Sequence, residues 1–184
     1  MFRKKLLIVW LICFFILPNI SFADSDIWIL VDTQKLSIEV KKGDKTLVVL
    51  DNIAIGRNGA GEKIHRGDDI TPLGNFRIGW INTNSSFHKF FGLTYPNVEH
   101  ADIALKKGYI DLETYESIAK AHFFGQIPPQ STDLGGQIGI HGLGSANLSI
   151  HRSMNWTHGC IALTNDQVDQ LSHWIEKGTL VTVK

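Results

Sequence analysis

The distribution of apolar and polar residues predicts a chain rich in β-strands. Leu36, Ile38 and Val40 alternate with polar neighbours, the period of two that is typical of a half-buried strand. The unbroken apolar run at 27–31 also has the length of a strand. Residues 56–74 are rich in glycine and polar residues, which predicts an irregular loop. Further strands are predicted at 46–55, 75–81, 137–141 and 179–183.

The middle of the chain has helical periodicity instead. Apolar residues recur at helical spacing from about 100 to 107 and again from 111 to 124. Asp111 is the expected N-cap of the second helix, since its short carboxylate can accept from a free backbone N–H. Pro128-Pro129 ends the pattern. We therefore predict a helical insertion over residues 98–130.

One more helix is predicted near the end of the chain, over about 165–176. Thr164 and Gln167 have the spacing of a capping box, and the apolar face that follows includes Val168 and Leu171. No repeat or low-complexity linker divides the chain, which indicates one domain over residues 24–184. A β-rich sheet core with added helices defines an α+β fold.

The first residues form a separate segment. Three basic residues at 3–5 precede twelve consecutive apolar residues from Leu6 to Leu17, and Ser21-Phe22-Ala23 has small residues where a signal peptidase cleaves. We predict a cleaved signal peptide over 1–23, a periplasmic location and no stable membrane insertion after cleavage. A retained anchor is the alternative, but twelve helical residues rise only about 18 Å against a hydrocarbon core of ~30 Å.

Charge and cysteine content exclude several classes of protein. The full chain of 184 residues has 18 basic and 18 acidic residues and therefore lacks the basic excess that is typical of nucleic-acid binding. Without residues 1–23, 15 basic and 18 acidic residues remain, a formal net charge of −3. Only Cys160 then remains, which excludes an internal disulfide. This cysteine is either buried and inert or a free thiol kept for chemistry.

Cys160 follows Trp156-Thr157-His158-Gly159, where a polar loop enters an apolar strand. A free thiol, with a pKa of about 8.5, needs a neighbouring base to act as a nucleophile near neutral pH. His158, two residues away, and His141, at the end of a predicted strand, are both candidates for that base. Gly159 leaves room for a substrate carbonyl, and backbone N–H groups of residues 159 and 160 can stabilise an oxyanion.

Several motifs together resemble the L,D-transpeptidase catalytic domain family, also called YkuD-type. His141-Gly142 followed by Thr157-His158-Gly159-Cys160, with fifteen residues between His141 and Thr157, is similar to its signature, and Thr71–Phe76 is similar to its upstream Thr-Pro-x-Gly turn. Leu93-Thr94-Tyr95-Pro96-Asn97 and the stretch Leu134–Gly142 look closest to its YafK-like branch. The resemblance covers residues 27–184, with the motifs in matching order.

The resemblance implies chemistry on peptidoglycan stem peptides without a cofactor. Cys160 would attack the carbonyl on the L-centre of diaminopimelate, and His141 would be the general base and then the acid. The backbone carbonyl of Gly142 would orient His141, the N–H of Gly159 would belong to the oxyanion hole, and His158 would support the site.

Three further residues would bind substrate according to the resemblance: Trp156, Thr157 and Tyr95. An amine from another stem would resolve the acyl-enzyme by transpeptidation. Water would instead give an L,D-carboxypeptidase, or an amidase that releases a wall-anchored lipoprotein.

Ala162 is a departure from the family pattern, in which many members have arginine or asparagine two positions after the cysteine. This departure is a reason to consider the two hydrolytic alternatives. The insertion at 98–130 is expected either to cover one side of the cleft and set substrate choice, or only to support the sheet.

Two other classes of function compete with the thiol enzyme. His141, His151, His158 and Cys160 offer nitrogen and sulfur ligands for zinc, although their spacing matches no common zinc motif. A non-catalytic wall-binding module is the other class, with aromatic residues that would stack on sugars: Trp80, Phe87, Phe90 and Phe91.

Overall fold

The structure, a computed structural model, describes residues 27–184. In this range the strands are β1 (Ile27–Asp32), β2 (Ser37–Lys42), β3 (Lys45–Asp51), β4 (Ala60–Gly61), β5 (Thr71–Pro72), β6 (Gly74–Ser85), β7 (His88–Leu93), β8 (Gly139–His141), β9 (Ile161–Ala162) and β10 (Leu180–Val183). The helices are α1 (Val98–Lys106), α2 (Leu112–Phe123), α3 (Leu148–Ser153) and α4 (Asn165–Ser172). The predicted signal peptide at 1–23 lies outside the described residues.

Eight of these strands form one sheet in the order β3-β2-β1-β10-β6-β7-β8-β9, and β4 pairs with β5. β1 pairs in parallel with β10, with Ile29 opposite Val181, and both side chains are fully buried. Burial on both faces explains why β1 is an unbroken apolar run. β2 instead buries Ile38 and Val40 by alternation, as its sequence pattern predicts.

The long strand β6 connects the two halves of the sheet. Its first residues pair with β10 and its later residues pair with β7, which continues to β8 and β9. Beyond β3, at the opposite edge, Ala54 exchanges backbone hydrogen bonds of 3.0 and 2.7 Å with Ala162 in β9. The segment that follows edge strand β3 thus pairs with the other edge strand, β9, so the sheet closes around its core.

The predicted helices are present with the predicted caps. Asp111 accepts from the backbone N–H of Thr114 at the start of α2, and Thr164 and Gln167 form the capping box of α4. α1 and α2 bury Ala101 and Ile118 in a second, smaller apolar cluster. None of the helices within residues 27–184 is long and apolar enough to cross a bilayer.

Some boundaries and elements differ from the sequence predictions. β3 ends at Asp51, earlier than expected, because Asn52 adopts a left-handed backbone conformation with φ of 59°. α4 ends at Ser172 rather than near residue 176. Strand β7 and the short helix α3 have no counterpart in the predicted elements, and β4 and β5 lie within the predicted loop at 56–74. The α+β class itself is confirmed.

Candidate active site

A cleft of about 540 Å³ contains both Cys160 and His141. β8 and β9 are parallel neighbours, with Ile140 opposite Ile161. Cys160, one residue before Ile161, therefore lies at the level of Gly139, two residues before His141. Because side chains alternate along a strand, this register puts Cys160 and His141 on the same face of the sheet. A larger cavity of about 680 Å³, lined by Trp174 among other residues, contains neither of them.

His141 is oriented by its own neighbour in the chain. Its ring is 2% exposed, and Nδ1 lies 2.7 Å from the carbonyl oxygen of Gly142. A carbonyl only accepts, so Nδ1 carries the proton and the lone pair of the imidazole is on Nε2. A Cβ at Gly142 would lie 2.7 Å from the Phe87 carbonyl oxygen, so glycine fits this position best. The contact anticipated between Gly142 and His141 is present in the structure.

Burial lowers the pKa of His141, an effect that the Gly142 carbonyl partly offsets. The ring is therefore neutral at pH 7, and Nε2 is able to accept a proton. Phe87 packs on the imidazole at a centroid distance of 4.3 Å, and Trp156 meets it edge-on at 6.0 Å. These aromatic walls supply the burial and hold the ring plane.

Cys160 is a partly buried free thiol. Its Sγ donates to the backbone carbonyl of Gln137 at 3.4 Å, and burial raises the pKa of the thiol to about 11. The cysteine is thus protonated at neutral pH and needs a base before it can attack. Gln137 had no place among the sequence candidates, since its contact with Cys160 spans 23 positions.

The turn before Cys160 is held by Thr157. Its buried hydroxyl donates to the Cys160 carbonyl at 2.7 Å and accepts the Gly159 N–H at 3.2 Å. The Thr157 hydroxyl therefore holds the turn, and the Gly159 N–H is bonded to it, while Thr157 also lines the cleft. Within residues 27–184, the backbone N–H of Cys160 donates to no other residue. Gly159, with φ of 120°, lies where a Cβ would be 2.6 Å from the Ile70 carbonyl oxygen.

His158 is oriented away from the role of base. Its Nδ1 lies 2.6 Å from Asp69 Oδ1, which only accepts, so Nδ1 carries the proton. Its Nε2 accepts from the Arg57 guanidinium at 3.3 Å. Both ring nitrogens are therefore engaged, whereas Nε2 of His141 is not. The structure thus favours His141 over His158 as base, the choice that the residue pattern alone left open.

Trp156 also lines the cleft and is supported from behind. Its indole Nε1 donates to Nδ1 of His151 at 3.3 Å, and its backbone carbonyl accepts from Arg57 Nε at 3.2 Å. His151 is buried, so Trp156 stands between a buried histidine and the imidazole of His141. His151 and Arg57 have no part in the sequence motif; they are identified only by these tertiary contacts.

Tyr95 lies in the core rather than in the cleft, which corrects the expectation that it binds substrate. Its side chain is fully buried, and its hydroxyl lies 3.2 Å from the Lys63 carbonyl and 3.0 Å from the Leu134 carbonyl. Burial raises its pKa well above the ordinary value. Tyr95 therefore ties the loop at Lys63 to the segment before β8.

The aromatic residues considered for sugar stacking have different environments. Phe91 is a core residue, 1% exposed. Trp80 and Phe90 stack on each other at 5.9 Å and, with Phe87, line the same cleft as Cys160. They form a wall of the active site rather than a separate sugar platform. No residue of the insertion at 98–130 is among the described residues that line this cleft.

The residues considered as zinc ligands are engaged elsewhere. His141 bonds to Gly142, His151 to Trp156, and His158 to Asp69 and Arg57. In the part of the chain that the structure describes, no group of three or more His, Cys, Asp or Glu side chains is placed to hold a metal ion.

The model of the YkuD family, the L,D-transpeptidase catalytic domain, matches residues 26–183. The chain belongs to this family. The cleft described above lies within the residues that match this family of L,D-transpeptidase catalytic domains.

Solved structures agree with this fold. The chain is similar to the helical cell shape determining protein Pgp2 from Campylobacter jejuni, with 22% identity and a TM-score of 0.57, over 86% of this chain and 47% of that one. It is also similar to Bd1075 from Bdellovibrio bacteriovorus, with 18% identity and a TM-score of 0.53, over 87% and 48%. The chain thus spans about half the length of these proteins. No curated protein sequence matches it significantly.

Because three of its histidines are buried, we expect the folded protein to lose stability in mild acid. Burial is the largest cause of a lowered pKa at His100, His141 and His151. Below the unfolded-state pKa of about 6.5, the unfolded chain binds more protons than the folded one. The free energy of unfolding should therefore fall by up to about 1.4 kcal/mol per pH unit for each histidine as pH drops below that value. Urea unfolding at pH 7.5, 6.5 and 5.5 measures the slope; equal midpoints would contradict the prediction.

Proposed function

We propose that the protein is an exported cysteine acyltransferase that cleaves peptidoglycan stem peptides at the L-centre of diaminopimelate. The observation that carries the proposal is the pairing, in one cleft, of a protonated thiol at Cys160 with a neutral imidazole at His141 whose free lone pair is on Nε2. Such a pair can generate a thiolate when a carbonyl arrives, without a metal or cofactor.

Acylation follows from this arrangement. Nε2 of His141 takes the Sγ proton while Sγ bonds to the diaminopimelate carbonyl carbon, and the carbonyl oxygen becomes an oxyanion. The N–H of Cys160 is the available backbone donor for that oxyanion, since the N–H of Gly159 is bonded to Thr157. The tetrahedral intermediate collapses to a thioester. His141 returns the proton to the departing amine of D-alanine, and Gly142 stabilises the transient imidazolium.

Deacylation uses the same base in reverse. An amine of a second stem peptide loses a proton to His141, attacks the thioester and releases Cys160 as a thiol, which completes transpeptidation. If water attacks the thioester instead, it loses a proton to His141 and the product is a shortened stem with a free carboxylate. If the amine that leaves during acylation belongs to a wall-anchored lipoprotein rather than to D-alanine, the same two steps release the lipoprotein. Hydrolysis is the second candidate, because Ala162, where many relatives have a polar side chain, is fully buried against Ala54.

The location of the reaction is part of the proposal. A signal peptide at 1–23 would deliver the enzyme to the periplasm, where peptidoglycan lies. Pgp2 is described as a cell-shape-determining protein, and we extend that role, as remodelling of cell-wall stem peptides, to this chain.

The test is to incubate the protein with a disaccharide-tetrapeptide, and separately with wall-bound lipoprotein, and to determine product masses. A crosslinked dimer identifies a transpeptidase, a tripeptide a carboxypeptidase, and freed lipoprotein a hydrolase. The Cys160→Ala variant is the matched control and should give none of these. If the protein with intact Cys160 gives no product from either substrate, the proposed function is wrong.

A further inference from the structure

One fixed positive charge faces the catalytic cleft. Among the described residues that line it, Arg57 alone has a permanent charge, and the others are aromatic, neutral polar, histidine or cysteine. Its side chain is 51% exposed, so the guanidinium is open to solvent and to a ligand. A cleft with one cation and no lining carboxylate selects for an anionic group on what enters it.

The guanidinium is held in place by a network rather than left free. Its Nε donates to the Trp156 carbonyl at 3.2 Å, and one terminal nitrogen donates to Nε2 of His158 at 3.3 Å. Asp69 fixes the tautomer of His158 through Nδ1 at 2.6 Å and forms an ion pair with Nη1 of Arg57 at 3.6 Å, although Asp69 itself does not line the cleft. The two hydrogen bonds use Nε and one N–H of Nη2, and one N–H of Nη1 faces Asp69, which leaves one N–H on each terminal nitrogen for a ligand.

The backbone of Arg57 is fixed to the catalytic turn as well. Its N–H donates to the Thr157 carbonyl at 3.0 Å, and the Thr157 N–H donates to the Ile55 carbonyl at 3.1 Å. Gly56 also lets this segment approach the backbone at Asp69, because a Cβ there would lie 2.1 Å from the Asp69 carbonyl oxygen. Arg57 is thus positioned relative to Cys160 before substrate binds.

We propose that Arg57 binds the C-terminal carboxylate of the residue that leaves the stem peptide, and so selects substrates cut one residue from a free carboxyl terminus. This inference rests on the proposed function. A carboxylate on the leaving residue is close to the scissile carbonyl, and a guanidinium is well suited to it because two parallel N–H groups can meet its two oxygens. His158 and Asp69 are positioning residues that hold the fork.

Kinetics with paired substrates test the proposal. The Arg57→Gln variant should lose about 30-fold in kcat/KM on a tetrapeptide stem with a free carboxyl terminus, mainly through KM. On the same stem with a C-terminal amide, wild type and variant should be nearly equal. On the stem with the free carboxyl terminus, kcat/KM of Arg57→Lys should lie between the values for the wild type and Arg57→Gln, because lysine keeps the charge but not the parallel N–H groups. Equal losses on acid and amide substrates would overturn the proposal.

A second measurement does not depend on the proposed reaction. Cys160 is alkylated with anionic iodoacetate and, in parallel, with neutral iodoacetamide. The ratio of the two rates should fall about three- to fivefold in Arg57→Gln, while Arg77→Gln, which removes an equal charge outside the cleft, should leave it unchanged. If no stem peptide is turned over but the ratio falls, the proposed function fails and the anion site at Arg57 stands. An unchanged ratio in Arg57→Gln would contradict that site.

Discussion

In the His141→Ala variant, a β-lactam is expected to acylate Cys160 about 1,000-fold more slowly than in the wild-type protein at pH 7, as measured by intact mass. The thiol, whose pKa is raised to about 11, has almost no thiolate at that pH, and the variant lacks the Nε2 that would take its proton. His158→Ala should slow acylation far less, because both nitrogens of His158 are already bonded.

Two comparisons keep this expectation separate from misfolding. His173→Ala removes an exposed histidine outside the cleft and should react like the wild type. Above pH 11, iodoacetamide should alkylate the wild type and His141→Ala at similar rates, since the thiol then ionises without a base. If His141→Ala retains full acylation at pH 7 while His158→Ala loses it, the assignment of the base is reversed.

Lys63→Met is expected to lower the free energy of unfolding by about 3 kcal/mol. The Lys63 side chain is 2% exposed, and its ammonium pairs with Asp68 and donates to the His65 carbonyl at 3.0 Å. Asp68 also accepts the backbone N–H of Ile70 at 3.1 Å, so the ion pair fixes the loop that leads to Asp69. Removal of the cation leaves a partly buried carboxylate without its counter-ion. Urea unfolding measures the difference.

The variant Lys107→Met is the control for the loss of a positive charge alone. Lys107 pairs with Glu62, but both side chains are about half exposed, and such surface pairs contribute little. Its unfolding midpoint should stay near that of the wild type. The double variant Lys63→Met/Asp68→Asn should recover part of the stability lost in Lys63→Met, because the uncompensated charge is gone. A Lys63→Met midpoint equal to that of Lys107→Met would show that the buried pair is not stabilising.

Local patterns predict the regular elements well where each has one buried face. The alternation at Ile38 and Val40 and the capping pair Thr164 and Gln167 are short-range signals, and the structure confirms them. The sequence of strand β7 has no alternation of apolar and polar residues, and its two consecutive phenylalanines resemble a stacking surface. In the structure Phe91 is buried, while Phe90 lies in the cleft wall. The place of β7 between β6 and β8 is decided by pairing with distant strands.

The same distinction between local and long-range signals applies to the residues of the site. Cys160 and Gly142 belong to motifs that are contiguous in sequence, and the structure brings them into one part of the fold. Arg57 and Asp69 meet His158 across 101 and 89 positions, so no local spacing predicts them. Tyr95 shows the converse error: its motif suggests proximity to substrate, yet its side chain turns into the core.

The central position of β10 determines the order in which the domain can fold. Residues 180–183 separate β1 from β6, and Thr33 bonds to Lys184 across 151 positions. Until these residues have left the ribosome, β1 and β6 each keep an open edge, and the two halves of the sheet have no strand to join them. Such long-range closure makes folding slow and postpones it until residues 180–183 have been synthesised. A polypeptide with this topology therefore stays unfolded for longer during its synthesis.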